Sequence, residues 1–435
     1  MRGIVAVACS GGRDSTALLH ATAVAARDLG LQVLALHVHH GLQPEADAWF
    51  EHVRAQCERW ALAGLPVSFV GHRVRERPAP GDSIEAWARE ARYAALARLA
   101  HAGGATTVLL AHHRRDQAET FLLQALRGAG MAGLSAMATR TERDGLAWLR
   151  PWLDRSRESI ERYVAWHRLD FIDDGSNIDL RFARNRLRLA VWPALTGAFP
   201  DAEVSLGTAA RWAQQAQRVL DEVAAGDLEV CADAKGLQVR AWATLSLDRR
   251  ANALRLWIRQ QSGAAPPASL VERLQNELHH SGPARWPLNA HAALHRYRGR
   301  VTCRELHAAA AEPSRREVTL RITRAGTYPL PGWRGELIAK RVRDGGIPIA
   351  WLGRLELRAR AGGEQFQAGL GRPARSLKKQ YQAAGVPEWE RDGPLIFSGG
   401  QLLFVPGLGI DARAIGLPGQ AQLSLHWRRI GATAT

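Results

Sequence analysis

The sequence predicts an α/β protein. A parallel sheet covered on both faces should occupy the first 130 residues, followed by a helical domain and a small β-rich domain at the C-terminal end. Three observations carry this reading. Short apolar runs alternate with helical patterns from residue 4 onward. Residues 205–305 read as helical, through stretches such as SLGTAARWAQQAQRVLDEVAA and SLVERLQNEL. Beyond residue 313 glycine and proline become frequent between short alternating runs such as VTLRIT and LELRAR.

The elements follow in order. Ile4–Ala8 is a short β-branched run, a Gly-Gly turn follows, and an amphipathic stretch runs from Ser15 to Leu29. Val33–Val38 precedes a helix pattern over Glu45–Ala63, and Val67–Val70 precedes Ser83–Ala102, where Asp82 or Ser83 can cap the helix. Thr106–Ala111 leads to a helix over Asp116–Leu126. In such parallel sheets the ligand sits beyond the carboxyl ends of the strands, and residues 10–15, 39–41 and 112–116 all fall there. From Leu149 to Leu195 the pattern is helical with arginine on its polar face, and one further helix is expected near Ser376–Ala384. The expected domains are 1–200, 201–312 and 313–435.

Composition narrows the classes. The chain has 435 residues, 46% hydrophobic and 23% charged, which suits two to four globular domains at roughly 100–200 residues each and excludes wholesale disorder. Its cysteines (Cys9, Cys57, Cys231, Cys303) show no CxxC and no metal spacing, so neither a disulfide framework nor a cysteine-built metal site is expected. No apolar run reaches the ~18 residues of a membrane span, and the first residues lack a signal-peptide core. A cytoplasmic, membrane-free protein is expected.

The net charge is +16, and it is unevenly placed. Residues 315–383 hold 15 basic and 5 acidic side chains, whereas residues 1–200 hold 25 and 21. Preference for arginine over lysine also arises from a GC-rich genome, but that does not explain clustering. A basic block of this kind favours a polyanion, because neutralising phosphates releases counterions. Arg372, Arg375, Lys378 and Lys379 lie within it.

The loop Ser10-Gly11-Gly12-Arg13-Asp14-Ser15 leaves the first strand and opens a helix. Two glycines permit positive φ and close backbone approach, and amides at a helix start suit a phosphate chain, with the Ser10 and Ser15 hydroxyls as further donors. Asp14 repels phosphate unless a cation intervenes, which implies Mg²⁺. A plain tight turn is the alternative. No lysine follows the glycines, so this is not a GxxxxGK[ST] loop. At the end of the fourth strand, Asp116 and Glu119 share one face of a helix start, either as carboxylates favouring the helix dipole or as functional acids. His39, at the end of the second strand, either lines a nucleotide pocket or is structural. Arg184, Arg186 and Arg188 should spread around a helix, pairing with Asp173, Asp174 and Asp179 or contacting phosphate.

The SGGRDS string resembles the PP-loop of ATP pyrophosphatases. With HHRRDQAETFLLQALRGAGMAGL it is similar to the tRNA(Ile)-lysidine synthase family, as are SIEAWAREARY, RPWL, DGSNID, RNRLR, SLKKQYQAAGVPEWERDGPLIF and LLFVPGLGID. The resemblance runs from about residue 3 to 412. It implies a PP-loop domain followed by two smaller tRNA-contacting domains. It also implies ATP, Mg²⁺, free L-lysine and an isoleucine tRNA with a CAU anticodon. In that chemistry the wobble cytidine is adenylated at its C2 oxygen with release of pyrophosphate, and the lysine ε-amine then displaces AMP. The product, lysidine, pairs with adenosine and changes the amino acid charged.

Carried onto this sequence, the resemblance implies Ser10, Gly11, Gly12, Arg13, Asp14, Ser15 and His39 for ATP. It implies Asp14 for the metal, and Asp14, Asp116, Glu119, Arg184 and Arg186 for catalysis. Arg188, Arg372, Arg375, Lys378 and Lys379 are then expected to contact tRNA. Two positions depart from the family pattern: Arg115 stands where an aspartate is usual, and Gly175 where proline is usual. The rivals are another adenylating PP-loop tRNA modifier, whose sulfur-installing kind needs CxxC, and a tRNA-binding protein with a decayed site.

Overall fold

A computed structural model describes residues 3–39, 41, 45–74, 76–77, 84–173, 181–305 and 318–429. The chain divides into two compact units, residues 1–220 and 221–435.

In the first unit the strands β1 (Ile4–Ala8), β2 (Gln32–His39), β3 (Val67–Arg73) and β4 (Thr107–Leu109) alternate with the helices α1 (Arg13–Leu29), α2 (Ala46–Leu62), α3 (Ile84–Ala102) and α4 (Arg114–Leu126). The sequence-expected caps Asp82 and Ser83 lie outside the described residues. A hairpin, β5 (Arg140–Arg143) and β6 (Leu146–Leu149), completes a six-stranded sheet in the order β3-β2-β1-β4-β6-β5, with β6 parallel to β4 and only β5 antiparallel. The sequence reading has helix starting at Leu149. Instead Leu146 and Trp148 point into the core from a strand, an alternation too short to register as one. Helices then occupy Arg157–His167 (α5) and a run of helical turns from Ala183 to Ala198, whose middle, Leu187–Val191, is a π-helix.

Alternation along the central strands gives the sheet two buried faces. Ala6, Leu34 and Leu36 pack with Tyr93 and Leu96 of α3 on one side. Val7, Val33 and Ala35 pack with Leu18 and Leu19 of α1 and Val53 of α2 on the other. Because β1, β2 and β4 run parallel, the β1–α1, β2–α2 and β4–α4 turns fall together at one edge.

The helix α6 (Ala202–Cys231) begins in the first unit and runs into the second. In the second unit, helices Leu247–Ser262 and Ala268–Glu277 pack against a five-stranded antiparallel sheet built from residues 232–305. The strands of that sheet, Ala284–Pro287, Ala292–Tyr297 and Arg300–Glu305 among them, lie where the sequence reads as helix. Residues 318–429 form a five-stranded and a four-stranded antiparallel sheet around one core that includes Leu337, Leu355, Ile396 and Leu423. The expected helix is present at Leu377–Ala384. No described helix is long and apolar enough to cross a membrane.

Candidate active site

The loop between β1 and α1 is closed from within. Gly11 sits at φ +89°, and a Cβ there would come within 2.4 Å of Ile172 Cδ1, so only glycine fits. Ile172 N donates to Gly11 O at 2.9 Å, tying the loop to the segment after α5. Ser15 Oγ accepts from Ser10 N (3.2 Å), donates to Gly12 O (2.9 Å) and lies 3.1 Å from Ser10 Oγ. The hydroxyl expected to meet phosphate is therefore already engaged in shaping the turn. Thr16 N donates to Gly12 O at 3.0 Å and opens the helical ladder, while Gly12 N already donates to Ser10 Oγ at 3.3 Å, so the amides at 13–15 form the positive end of the helix.

Arg13 is held by Glu161 of α5 (Nη1 to carboxylate, 2.7 Å). His39 has both ring nitrogens engaged, Nε2 at 3.2 Å from Asp47 and Nδ1 accepting from Gly41 N at 3.1 Å. Its neighbour two residues back does a job that no sequence pattern signals: buried His37 donates through Nδ1 to Cys9 O (2.8 Å), fixing the strand end from which the loop departs.

Asp14 faces α4. His113, almost wholly buried, bridges Asp14 and Asp116 with Nε2 3.6 and 3.5 Å from their carboxylates. Burial opposes charge on His113, yet the carboxylates of Asp14, Asp116 and Glu119 outweigh it and raise its pKa. Burial likewise works against the Asp14 and Asp116 carboxylates, but His113, with Arg13 for the one and Arg184 for the other, holds both below the usual range. Asp14 Oδ1 is buried and accepts no hydrogen bond among the described residues, with Arg13 Nε 3.6 Å away. His112 is driven the other way, to about 3, by burial and by Arg150 and Arg184.

The second acid is clamped. Glu119 is 0% exposed and takes Arg188 Nε at 2.8 and 2.9 Å and Arg184 Nε at 3.1 Å. Arg188 Nη2 also donates to Asp116 Oδ1 at 2.8 Å. This corrects the expected placement of the arginines. Arg184 and Arg188 are four residues apart, so they share the helix face turned to α4. Arg186 falls on the exposed side and donates to Arg181 O (2.9 Å). Arg188, expected to contact tRNA, joins the cluster around Glu119 and Asp116, and Arg186, expected in catalysis, lies outside that cluster. Arg115 stacks on Trp192 with its Cζ 4.9 Å from the ring centroid and lies 3.7 Å from Glu119.

In the second unit Arg372, Arg375, Lys378 and Lys379 are all exposed. Tyr381, between them and the core, is 0% exposed and donates to Pro406 O at 2.9 Å, so it offers no stacking face. Trp389 is packed edge-on by His295, ring centroids 4.8 Å apart. Asp174, Gly175, Ser176, Asn177, Ile178 and Asp179 lie outside the described residues.

Comparison with known proteins agrees with this geometry. Residues 2–195 match a PP-loop domain, residues 237–302 a TilS substrate binding domain, and residues 355–427 a TilS substrate C-terminal domain. A tRNA(Ile)-lysidine synthase of Burkholderia mallei is 41% identical over 94% of this chain and 89% of its own length. Those of Ralstonia nicotianae and Coxiella burnetii are 40% and 34% identical, over 95% and 92% of this chain and 90% and 88% of theirs. A PP-loop at the sheet edge, with substrate-domain matches behind it and relatives alike over nearly the whole length, means that the chain belongs to the tRNA(Ile)-lysidine synthase family.

Proposed function

We propose that this protein is an ATP-dependent ligase that joins free L-lysine to C2 of the wobble cytidine of an isoleucine tRNA with a CAU anticodon. The observation that carries the reading is Asp14, a carboxylate beside the Gly11-Gly12 turn with a buried oxygen that accepts no hydrogen bond among the described residues. Asp116 and Glu119 are held by Arg184 and Arg188 at 2.8–3.4 Å, whereas Asp14 has only the longer contacts, 3.6 Å, to Arg13 and His113. That oxygen fits Mg²⁺. Among the described residues no group of three metal-binding side chains exists, and an ion of this kind takes its remaining ligands from phosphate and water. When bound, Mg²⁺ neutralises the triphosphate charge and favours departure of pyrophosphate.

The chain's own groups do the rest. The glycine turn and the start of α1 hold the triphosphate. His113, whose pKa the neighbouring acids raise, lies between Asp14 and Asp116 and orients Asp14. Arg184 and Arg188 each retain an Nη1 with no hydrogen bond among the described residues, suited to the negative charge that builds on the α-phosphate. The cytidine C2 oxygen bonds to the α-phosphorus as the bond to pyrophosphate breaks. The lysine nitrogen then bonds to C2, AMP leaves with that oxygen, and the amine gives up a proton.

The matched segments support a three-part division into a catalytic region, 1–200, and two tRNA-contacting regions, 201–312 and 313–435. Exposed Arg372, Arg375, Lys378 and Lys379 contact the tRNA in the last of these, and the enzyme works in the cytoplasm.

The test is incorporation of radiolabelled lysine into an isoleucine tRNA transcript bearing CAU, beside the methionine tRNA that shares the anticodon and an Asp14→Asn variant. Label in the isoleucine tRNA alone, lost in the variant, supports the reading. Folded protein that binds the tRNA yet incorporates nothing, with no pyrophosphate released from ATP, would mean a tRNA-binding protein instead.

A further inference from the structure

On the face of α4 opposite the acid cluster lies a cavity of about 350 Å³, lined by α4, the turn after β6 and the first half of α6. Its charge comes from Arg114, Arg150 and Arg211, against Asp154. Arg150 is 7% exposed, donates Nη1 to Ala138 O at 2.9 Å, and keeps a buried Nε with no hydrogen-bond partner. Arg114 gives Nε to Glu203 at 2.8 Å, and Arg211 is exposed with one bond, to Thr208. Leu153 and Val204 supply an apolar wall. A buried guanidinium with an unspent N–H is costly unless an acceptor comes to it. Asp154 does not serve, since its side chain is 77% exposed and lies 3.8 Å from Arg155.

We infer that this cavity is a nucleotide-binding site for the RNA substrate. It takes the phosphodiester of an anticodon-loop residue next to the target base on Arg150 and Arg211, with the sugar or base against Leu153 and Val204. Resting on the reading above, the inference adds a positioning site. α4 carries the acid cluster on one face and Arg114 and Gln117 on the other, so a nucleotide seated here sets the register of the neighbouring cytidine over the reacting groups. The volume suits one nucleotide, near the lower end of small-ligand pockets. Guanidinium is the planar donor that phosphate prefers.

The experiment measures tRNA affinity against salt for the full-length protein, Arg211→Glu and Arg150→Met, with thermal unfolding and ATP binding as controls of folding. Arg211→Glu should weaken binding about tenfold, and the slope of log Kd on log salt should fall by roughly 0.7 for each phosphate no longer neutralised. Affinity and slope equal to wild type in a folded Arg211→Glu protein overturn the inference. Pyrophosphate and inorganic phosphate are titrated in parallel. A site that binds either ion through Arg211 while tRNA affinity is unchanged belongs to the free anion, and the inference is also overturned. Wild type that fails to bind tRNA at all refutes the broader functional reading, a result distinguishable from the others.

Discussion

Arg188 Nε lies 2.8 and 2.9 Å from the two carboxylate oxygens of Glu119, a side chain with no solvent exposure at all. The pair joins α4 to the helical turns at 183–198 across 69 residues of sequence. Burial disfavours the charge on Arg188, and Glu119 and Asp116 reverse that, raising its pKa.

Glu119→Gln leaves Arg184 and Arg188, each about a third exposed, with Asp116 alone and should cost about 1–3 kcal/mol of stability. Glu119→Gln combined with Arg188→Met should cost less than the two single changes summed. A double-mutant cycle by urea unfolding checks this, and simple additivity would show that the pair is not coupled.

Gly11→Ala addresses the loop. The new methyl meets Ile172 at a φ of +89°, so a loss of about 1–3 kcal/mol is expected together with weakened ATP binding. Gly41→Ala, also at positive φ but with open space around its Cβ, should leave ATP affinity much nearer wild type. Equal effects on ATP binding would argue that the Ile172 contact is irrelevant to the site.

The basic segment is tested as a block. Alanine at Arg372, Arg375, Lys378 and Lys379 should weaken tRNA binding and flatten its salt dependence, because all four are exposed and make no side-chain hydrogen bond or ion pair among the described residues. Unchanged binding at low and high salt would remove this face from the tRNA contact. Tyr381→Phe, by contrast, should lose about 1 kcal/mol of stability through its bond to Pro406 without altering tRNA affinity.

The cysteines should be inert. Cys9, Cys57 and Cys231 are buried, and burial pushes the Cys57 thiol up to about 12. At pH 8 a thiol reagent should therefore modify Cys303 at most in the native protein and all of them after denaturation. Rapid native labelling of Cys9, next to the phosphate loop, would revive sulfur chemistry for this site.

Much of this protein is determined locally. The first four strands with their following helices, the glycine turn at 10–15, the strand-end location of His39 and Asp116, and the basic segment at 315–383 all follow from short-range pattern and charge, which a single sequence displays. What it does not display is partnership across distance. Arg184, Arg186 and Arg188 read alike along the chain. Only the packing of their helical turns against α4 turns the first and third toward Glu119 and leaves the second exposed. Nor could spacing identify His113 as the link between Asp14 and Asp116, because that link depends on β1 and β4 lying side by side in the sheet. The strands of residues 284–305 are hidden for a different reason: each is only four to six residues long and pairs with its neighbour in sequence, so its stability rests on cross-strand side-chain pairs that no pattern along a single strand displays. Local pattern thus determined the phosphate loop, and tertiary contact decided which charges it faces.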